Sequence, residues 1–287
     1  MKRRTKKTAA VVLSVILLLV LTFAVLPFVF KDKVMEIARR ELNKRLTAEV
    51  NFRDLKISFI RSFPDASVSL KDLYIVGKDD FEGDTLLMSK DVNLVINLKS
   101  LFGDTGYEVK RMQINDSKVL AHVLKDGRAN WDIFPEDTAN VDTTESGFKF
   151  KLQDFNIARA DVVYLSDSGN VAARMKNLNL NLNGDLTADS TLLSTNFTID
   201  TLNFWNGGVH YASNLVVEFT ADINAILSED RYEFANNEMK INAIPLSLNG
   251  WVQMPDDEIE MDLTLNTEQV DFKSLLSLIP AIYTNSF

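Results

Sequence analysis

Ser146 and Lys149 are the residues whose types and spacing come nearest to a catalytic pair. A serine three residues before a lysine occurs in acyl-enzymes, where the lysine helps to activate the serine hydroxyl. The companion motifs are missing here, and the pair lies between a polar loop and the start of a strand, so chance is the favoured interpretation. The two histidines, His122 and His210, each lie in a strand-like pattern, where an ordinary cross-strand position is favoured over a ligand or a catalyst.

An acidic stretch is the next candidate for chemistry. Asp79, Asp80, Glu82 and Asp84 could offer carboxylate oxygens to Ca²⁺, but their spacing does not fit the EF-hand loop, and a solvated loop is favoured. The chain also shows no nucleophile elbow, phosphate-binding loop, paired-histidine zinc motif or dinucleotide fingerprint. We therefore expect a protein that is not an enzyme and that needs no metal or cofactor.

The N-terminal region has the pattern of a membrane anchor. Ala9 to Phe30 is a run of 22 residues without a charge, about 33 Å long as a helix and enough to cross a bilayer. Five cations and no acid precede it, which predicts that residues 1–8 are cytoplasmic and that the body is exported. The alternative is a signal peptide cleaved near Ala24, but cleavage there would leave an exposed apolar stub.

Charge and cysteine content limit the function classes. The chain carries a net charge of −9 although residues 1–30 carry +5, so residues 31–287 carry −14. An acidic exported body argues against binding nucleic acid and against adhesion to anionic lipid headgroups. The chain contains no cysteine, so burial of apolar surface rather than a disulfide framework must hold the fold.

The pattern of residues 31–46 predicts an amphipathic helix next to the membrane. Its apolar positions, which include Val34, Ala38 and Leu42, recur along one helical face. The helix could begin the fold of the body or lie on the bilayer surface, and the first role is favoured.

From Glu49 onward the sequence reads almost entirely as strands. The clearest is Asn177 to Asn183, in which leucines alternate with asparagines, and Ile259 to Leu265 repeats the alternation. A polar loop is expected at 135–147 and a short helix from Asp271 to just before Pro280. The predicted strands are 50–53, 56–60, 67–76, 86–98, 107–114, 119–124, 128–133, 148–157, 161–165, 171–183, 192–204, 209–227 (with a bend near Thr220), 232–243, 246–254 and 259–265.

Strands with one apolar face must pack that face against something, yet almost no amphipathic helix is available between residues 50 and 270. Three architectures satisfy this requirement: two sheets packed as a sandwich, a closed barrel, or a curled open sheet whose apolar face holds something else. Alternation alone does not separate a sandwich core from an open groove.

One stretch, Val92 to Phe134, carries a more specific order of features. Alternating aliphatic residues lead into a Leu-Phe-Gly break at 101–103 and then into two short strands around Asn115-Asp116-Ser117. Asp126-Gly127 predicts a two-residue hairpin turn with both residues at positive φ, and Asn130-Trp131-Asp132 ends the unit. The order of these features resembles the N-terminal region of the AsmA family. The anchor and residues 63–70, which lead into a strand, also resemble that family.

The resemblance implies a fold and a function. AsmA-like proteins are anchored in the inner membrane of Gram-negative bacteria, project into the periplasm and are related to bridge-like lipid transfer proteins. The implied fold is mainly β: one transmembrane helix, then a long, twisted, curled and mostly antiparallel sheet with an open groove and few short helices. The implied partners are the inner membrane, phospholipid and other envelope proteins.

Under this resemblance the periplasmic body is 47–287, and it supports outer-membrane assembly by shielding or conducting phospholipid in its groove. The expected lipid-facing side chains are Leu94, Ile96, Leu178, Leu180, Leu182, Ile259, Met261 and Leu263. The alternative is a non-catalytic envelope scaffold or regulator, with a closed β-sandwich that binds another envelope protein. Many family members continue for several hundred residues further, so we expect this chain to be a fragment of a longer protein.

Overall fold

The computed structural model describes residues 31–59, 62–102, 107–134, 148–186, 188–254 and 259–267. They form one helix, α1 (Lys31–Arg45), and twelve strands that belong to a single sheet. The strands are β1 (Glu49–Asn51), β2 (Asp54–Ser58), β3 (Ala66–Val76), β4 (Thr85–Ile96), β5 (Tyr107–Val123), β6 (Phe148–Ser166), β7 (Val171–Asn183), β8 (Ser190–Asn206), β9 (Val209–Ile226), β10 (Arg231–Ile241), β11 (Ile244–Gln253) and β12 (Glu260–Thr267).

The strands follow one another across the sheet almost in chain order. The path runs β1-β3-β4 and then in sequence to β12, while β2 pairs with β3 beside β1. All neighbours are antiparallel except β5 and β6, which are parallel. The prediction of a long, open and mostly antiparallel sheet is therefore confirmed. The closed sandwich of the alternative hypothesis is not what the described strands form, because all of them belong to one sheet.

Several predictions fall on residues outside the described ranges. These are the cytoplasmic tail, the membrane span 9–30, the loop 135–147 and the short helix after Asp271. Within the described part of the chain, no helix has both the length and the apolar character that a bilayer crossing requires.

Helix α1 is attached to the first edge of the sheet. The Asn43 side chain accepts a hydrogen bond from the backbone N–H of Val50 at 2.9 Å and donates one to its C=O at 2.7 Å. The amide thus replaces a neighbouring strand, which protects the exposed edge of β1. The helix is therefore fixed to the first strands of the sheet.

The main hydrophobic cluster lies between this helix and strands β1 to β5. Its centre is Phe52, which is 1% exposed, surrounded by Leu55, Leu70 and Val92. Val34 and neighbouring apolar residues of α1 pack against this cluster. The cluster therefore joins the helix to the apolar side of the first strands.

The segment after β5 also contacts this end of the sheet. Instead of the predicted strand at 128–133, the structure has one β-bridge, between Val123 and Ala129. Asn130 is 3% exposed; its Oδ1 accepts from the backbone N–H of His122, and its Nδ2 donates to the C=O of Leu120. These bonds satisfy backbone groups of β5 and hold the segment against that strand. Of the turn residues Asp126 and Gly127, only the glycine has a positive φ.

Two predicted strand pairs are single long strands in the structure. The expected turn at 115–117 is a point within β5 where Asp116 has a φ of 50°, and the gap expected before Asp161 is a point within β6 where Arg159 has a φ of 56°. The two residues lie in the same register position of neighbouring strands, and the Arg159 guanidinium contacts the Asp116 carboxylate at 2.8 and 2.9 Å. One left-handed residue shifts the alternation by a residue without ending the strand.

The same shift recurs across the sheet. Asp72 in β3, Asn177 in β7 and Asn214 in β9 also have positive φ, between 48° and 51°. In β9 this position is Asn214. At the bend predicted near Thr220, the pairing of β9 with β10 shifts register between Asp222 and Thr220. Because neighbouring strands shift together, their apolar side chains stay on one side of the sheet on both sides of the shift.

Candidate functional site

One face of the sheet is apolar from its first edge to its last strand. A single row of directly paired residues crosses eleven strands, and only its last member is polar. We call it the apolar row: Leu55, Leu70, Val92, Ile114, Ile157, Leu180, Phe197, Phe219, Met239, Leu246 and Thr267. Since directly paired residues point to the same side, this row samples one continuous face.

The opposite face is polar at the neighbouring register position. A second row of paired residues crosses nine strands and contains no apolar side chain. We call it the polar row: Lys56, Ser69, Asn93, Gln113, Asn156, Asn181, Asn196, Thr220 and Glu238. Several of these side chains also bond across strands, as Asn196 Nδ2 does to Thr220 Oγ1 at 2.9 Å. The sheet is therefore amphipathic over almost its whole width.

The middle of the apolar face is buried without a second layer among the described residues. Leu193, Ile199, Val217 and Phe219 are 5–7% exposed, although the described part of the chain places only neighbouring strands of the same sheet beside them. A sheet that curls toward this face brings its side chains together in this way. The face thus forms the inside of a trough, with the Phe197 and Phe219 rings 5.2 Å apart at its floor.

The trough is closed at the end formed by the first strands. There the hydrophobic cluster under α1 covers the apolar face. The segment after β5 adds to this cover, since Trp131 stacks on Tyr164 of β6 with ring centroids 6.4 Å apart and Ile133 accepts a bond from the N–H of Thr47.

The opposite end is open as far as the structure describes it. Met261, Leu263 and Leu265 of β12 are 58%, 37% and 57% exposed, and no described strand lies beyond them. The glycine at position 250 allows β12 to approach closely, because a Cβ built there would lie 1.8 Å from the carbonyl oxygen of Asp262. The apolar face therefore reaches the edge of the described sheet.

The predicted lipid-facing residues divide into three groups. Leu178, Leu180 and Leu182 line the uncovered part of the trough, as do Met261 and Leu263. Two more, Leu94 and Ile96, share the face but lie at its closed end: Leu94 packs against the cluster under α1, and Ile96 is 8% exposed. The last, Ile259, is 63% exposed and precedes β12. Whether any of them contacts lipid stays a prediction.

The sequence analysis missed the aromatic residues of the trough. Phe155, Phe197, Phe219 and Phe234 all lie on the apolar face by their register. The signal was available at Phe197, because residues 197 and 199 are apolar and alternate with the polar residues 196, 198 and 200. It was weaker elsewhere, where the shifts of register interrupt the alternation.

The candidates for chemistry are not assembled into a catalytic or metal site. Asp80 pairs with Arg128 at 2.5 Å, whereas Asp84 pairs with His122 at 2.7 Å. In the part of the chain that the structure describes, no group of three or more histidine and acidic side chains could hold a metal ion. His210 stacks on Trp205 with ring centroids 4.4 Å apart. Ser146 lies outside the described residues.

His122 holds together three elements at one end of the strands. Its Nδ1 lies 2.7 Å from Asp84, which precedes β4, and its Nε2 lies 3.5 Å from Asp167, which follows β6. The hydrogen bond to Asp84, together with the negative charges of Asp84 and Asp167, raises the pKa of the His122 imidazole above its ordinary value despite partial burial.

This raised pKa predicts a pH-dependent stability. The protonated imidazole stabilises the folded state fully below the unfolded pKa of about 6.5, and this contribution is lost as the pH rises through the higher folded pKa. Urea unfolding at a series of pH values should therefore show the His122→Gln variant losing less stability than the wild type as the pH rises across this window. The matched control is His210→Gln, whose imidazole is 3.1 Å from an asparagine oxygen. A wild-type slope retained in His122→Gln would contradict the assignment.

No curated protein and no solved structure matches the chain significantly. The family model of the AsmA family matches residues 1–241, which include the predicted anchor, α1 and strands β1 to β10. Because the match spans well over half of the sequence, the chain belongs to the AsmA family.

Proposed function

We propose that this protein holds phospholipid acyl chains in the trough and so supports assembly of the outer membrane. In this proposal residues 9–30 anchor the chain in the inner membrane, residues 1–8 are cytoplasmic and the sheet lies in the periplasm. Membership of the AsmA family fits a role in envelope and outer-membrane assembly. The trough adds the physical means by which such a protein could handle lipid.

The observation that carries the proposal is the pairing of the apolar row with the polar row. A sheet with one apolar face must cover that face in water, yet among the described residues a second layer lies only over the end under α1. Each acyl CH₂ group moved from water into such a trough gains about 0.8 kcal/mol. A lipid tail therefore supplies the cover that the uncovered strands need.

No group in the trough suggests chemical conversion of the lipid. The apolar row contains no charged side chain, whereas the described ion pairs around its middle, Arg111–Asp154 and Arg159–Asp116, lie outside it. The proposed role is therefore shielding or conduction of lipid and not catalysis. The alternative of a protein scaffold remains an outcome of the experiment below.

The test uses a photo-crosslinking amino acid at two adjacent positions of β7. Leu180 lies in the apolar row and Asn181 in the polar row, so the two sites differ in face but hardly in position along the strand. In cells, the crosslinker at position 180 should yield phospholipid adducts, and the crosslinker at position 181 should not. Mass spectrometry of the purified adducts identifies the captured molecule.

Three outcomes of this experiment would count against the proposal. Adducts at position 180 that contain only other parts of this protein would show a protein-filled core and overturn the proposal. Adducts at position 180 with another envelope protein would support the scaffold function instead. Equal lipid capture at both positions would mean that the lipid contact is unspecific.

A further inference from the structure

A cavity of about 630 Å³ lies beside the start of α1, away from the uncovered part of the trough. Part of its lining consists of the first four members of the polar row, Lys56, Ser69, Asn93 and Gln113, which come from the adjacent strands β2 to β5. Lys31, the first residue of α1, also lines it. This volume is within the range of sites that bind small ligands.

The charge of this cavity differs from that of the body. Three lysines, Lys31, Lys56 and Lys71, line it together with one carboxylate, that of Asp91, whereas residues 31–287 carry a net charge of −14. A local excess of cations within an acidic body indicates an anionic ligand.

Two of the three lysines already have carboxylate partners. Lys71 Nζ lies 2.8 Å from Asp91, and Lys31 Nζ lies 2.5 Å from Asp54. By contrast, the structure gives the Lys56 side chain no hydrogen bond and no salt bridge with any described residue, although its charge interacts with that of the nearby Asp54. Its ammonium group is exposed and is the cation of this cavity that is available to a ligand.

The polar groups around Lys56 suit a phosphate. Ser58 and Ser67 are directly paired across β2 and β3 and also line the cavity. Ser69 Oγ donates to Asn93 Oδ1 at 2.5 Å, and Asn93 Nδ2 in turn lies 3.2 Å from Asp91. The Ser67 hydroxyl is bonded to that of Ser62 at 2.6 Å, so the Ser58 hydroxyl and the Lys56 ammonium remain as donors for the oxygens of a phosphate.

We propose that this cavity binds the phosphate of a phospholipid headgroup at the membrane surface. The inference rests on the proposed function, because the anchor 9–30 would place Lys31 directly at the end of the membrane span. A headgroup bound there would hold the first strands against the bilayer, at the end where the trough is closed. It would not need the uncovered part of the trough, because the cavity lies beside the start of α1, where Val34, Leu55 and Ile57 of the hydrophobic cluster also line it.

The test places a photo-crosslinking amino acid at Ser58, in the full chain reconstituted into vesicles of phosphatidylethanolamine and phosphatidylglycerol. Phospholipid adducts should form, and Lys56→Glu should lower their yield about tenfold, because a carboxylate would replace the cation that faces the phosphate. The control is Lys118→Glu, which reverses the charge of an exposed lysine of β5. This residue does not line the cavity, so the substitution should leave the yield of adducts unchanged.

The outcomes separate this proposal from the proposed function. If Ser58 gives no lipid adduct, or the same yield in Lys56→Glu, the headgroup site is wrong, whatever the crosslinker at Leu180 captures. Binding of inorganic phosphate that depends on Lys56, measured by calorimetry without lipid capture at Ser58, would assign the cavity to a soluble anion and also overturn it. Circular dichroism and lipid capture at Leu180 in the Lys56→Glu background show whether the fold and the trough are intact.

Discussion

Replacing Phe52 with alanine should lower the free energy of unfolding by about 3–5 kcal/mol, the usual cost of removing a fully buried phenylalanine. Phe52 is 1% exposed and is the largest fully buried side chain among the described residues. Its ring contacts the cluster that joins α1 to the first strands, and the Arg39 guanidinium lies 5.0 Å above it. The alanine variant would leave a cavity and an arginine without its aromatic contact.

Urea unfolding followed by circular dichroism measures this effect. The matched control is Phe134→Ala, because Phe134 is 43% exposed and its loss should cost much less. Since this cluster joins α1 to the first strands, the loss should also release the helix from the sheet. Equal destabilisation by the two substitutions would show that this cluster is not the main support of the first strands.

Strand β7 shows what the sequence could predict well. Its predicted bounds, Val171 to Asn183, are those of the structure. Strict alternation of leucine with asparagine over 177–183 fixes which of these side chains share a face. Local information was sufficient there.

Strands β5 and β6 show where local information was insufficient. The residues 115–117 have the composition of a turn, but in the structure Asp116 takes a left-handed φ inside a continuous strand. Whether Asp116 forms a turn or continues the strand depends on Arg159, which bonds its carboxylate. Arg159 lies 43 positions away in the chain. The parallel pairing of the two strands is likewise a non-local property that no local pattern encodes.

The candidate site was predictable to the same degree. Alternation assigned Leu94 and Leu180 to apolar strand faces, and the structure places both on the same face of one sheet. Alternation could not show that α1 covers Leu94 and that no described segment covers Leu180, because cover depends on how distant elements pack. A search for an open trough therefore needs the fold and not only the pattern.

An aspartate in place of Leu180 should remove most of the lipid that copurifies with the protein while the sheet stays folded. Leu180 is half-buried between Ile157 and Phe197 of the apolar row. A carboxylate surrounded by acyl chains costs several kcal/mol, so we expect about a tenfold loss of retained phospholipid. In an unfilled trough the same carboxylate can contact water, and the loss of stability should be limited to about 1–2 kcal/mol.

The matched control is Asn181→Asp, which introduces the same charge one residue away on the polar face. The Asn181 side chain accepts a hydrogen bond from Asn156, and an aspartate keeps that acceptor oxygen. Lipid retained by each purified variant is counted by mass spectrometry, and stability is measured by urea unfolding. If the apolar face were instead the core of a protein-filled fold, the aspartate at position 180 would be buried and unpaired. Leu180→Asp would then unfold the body, and the wild type would carry no lipid to lose.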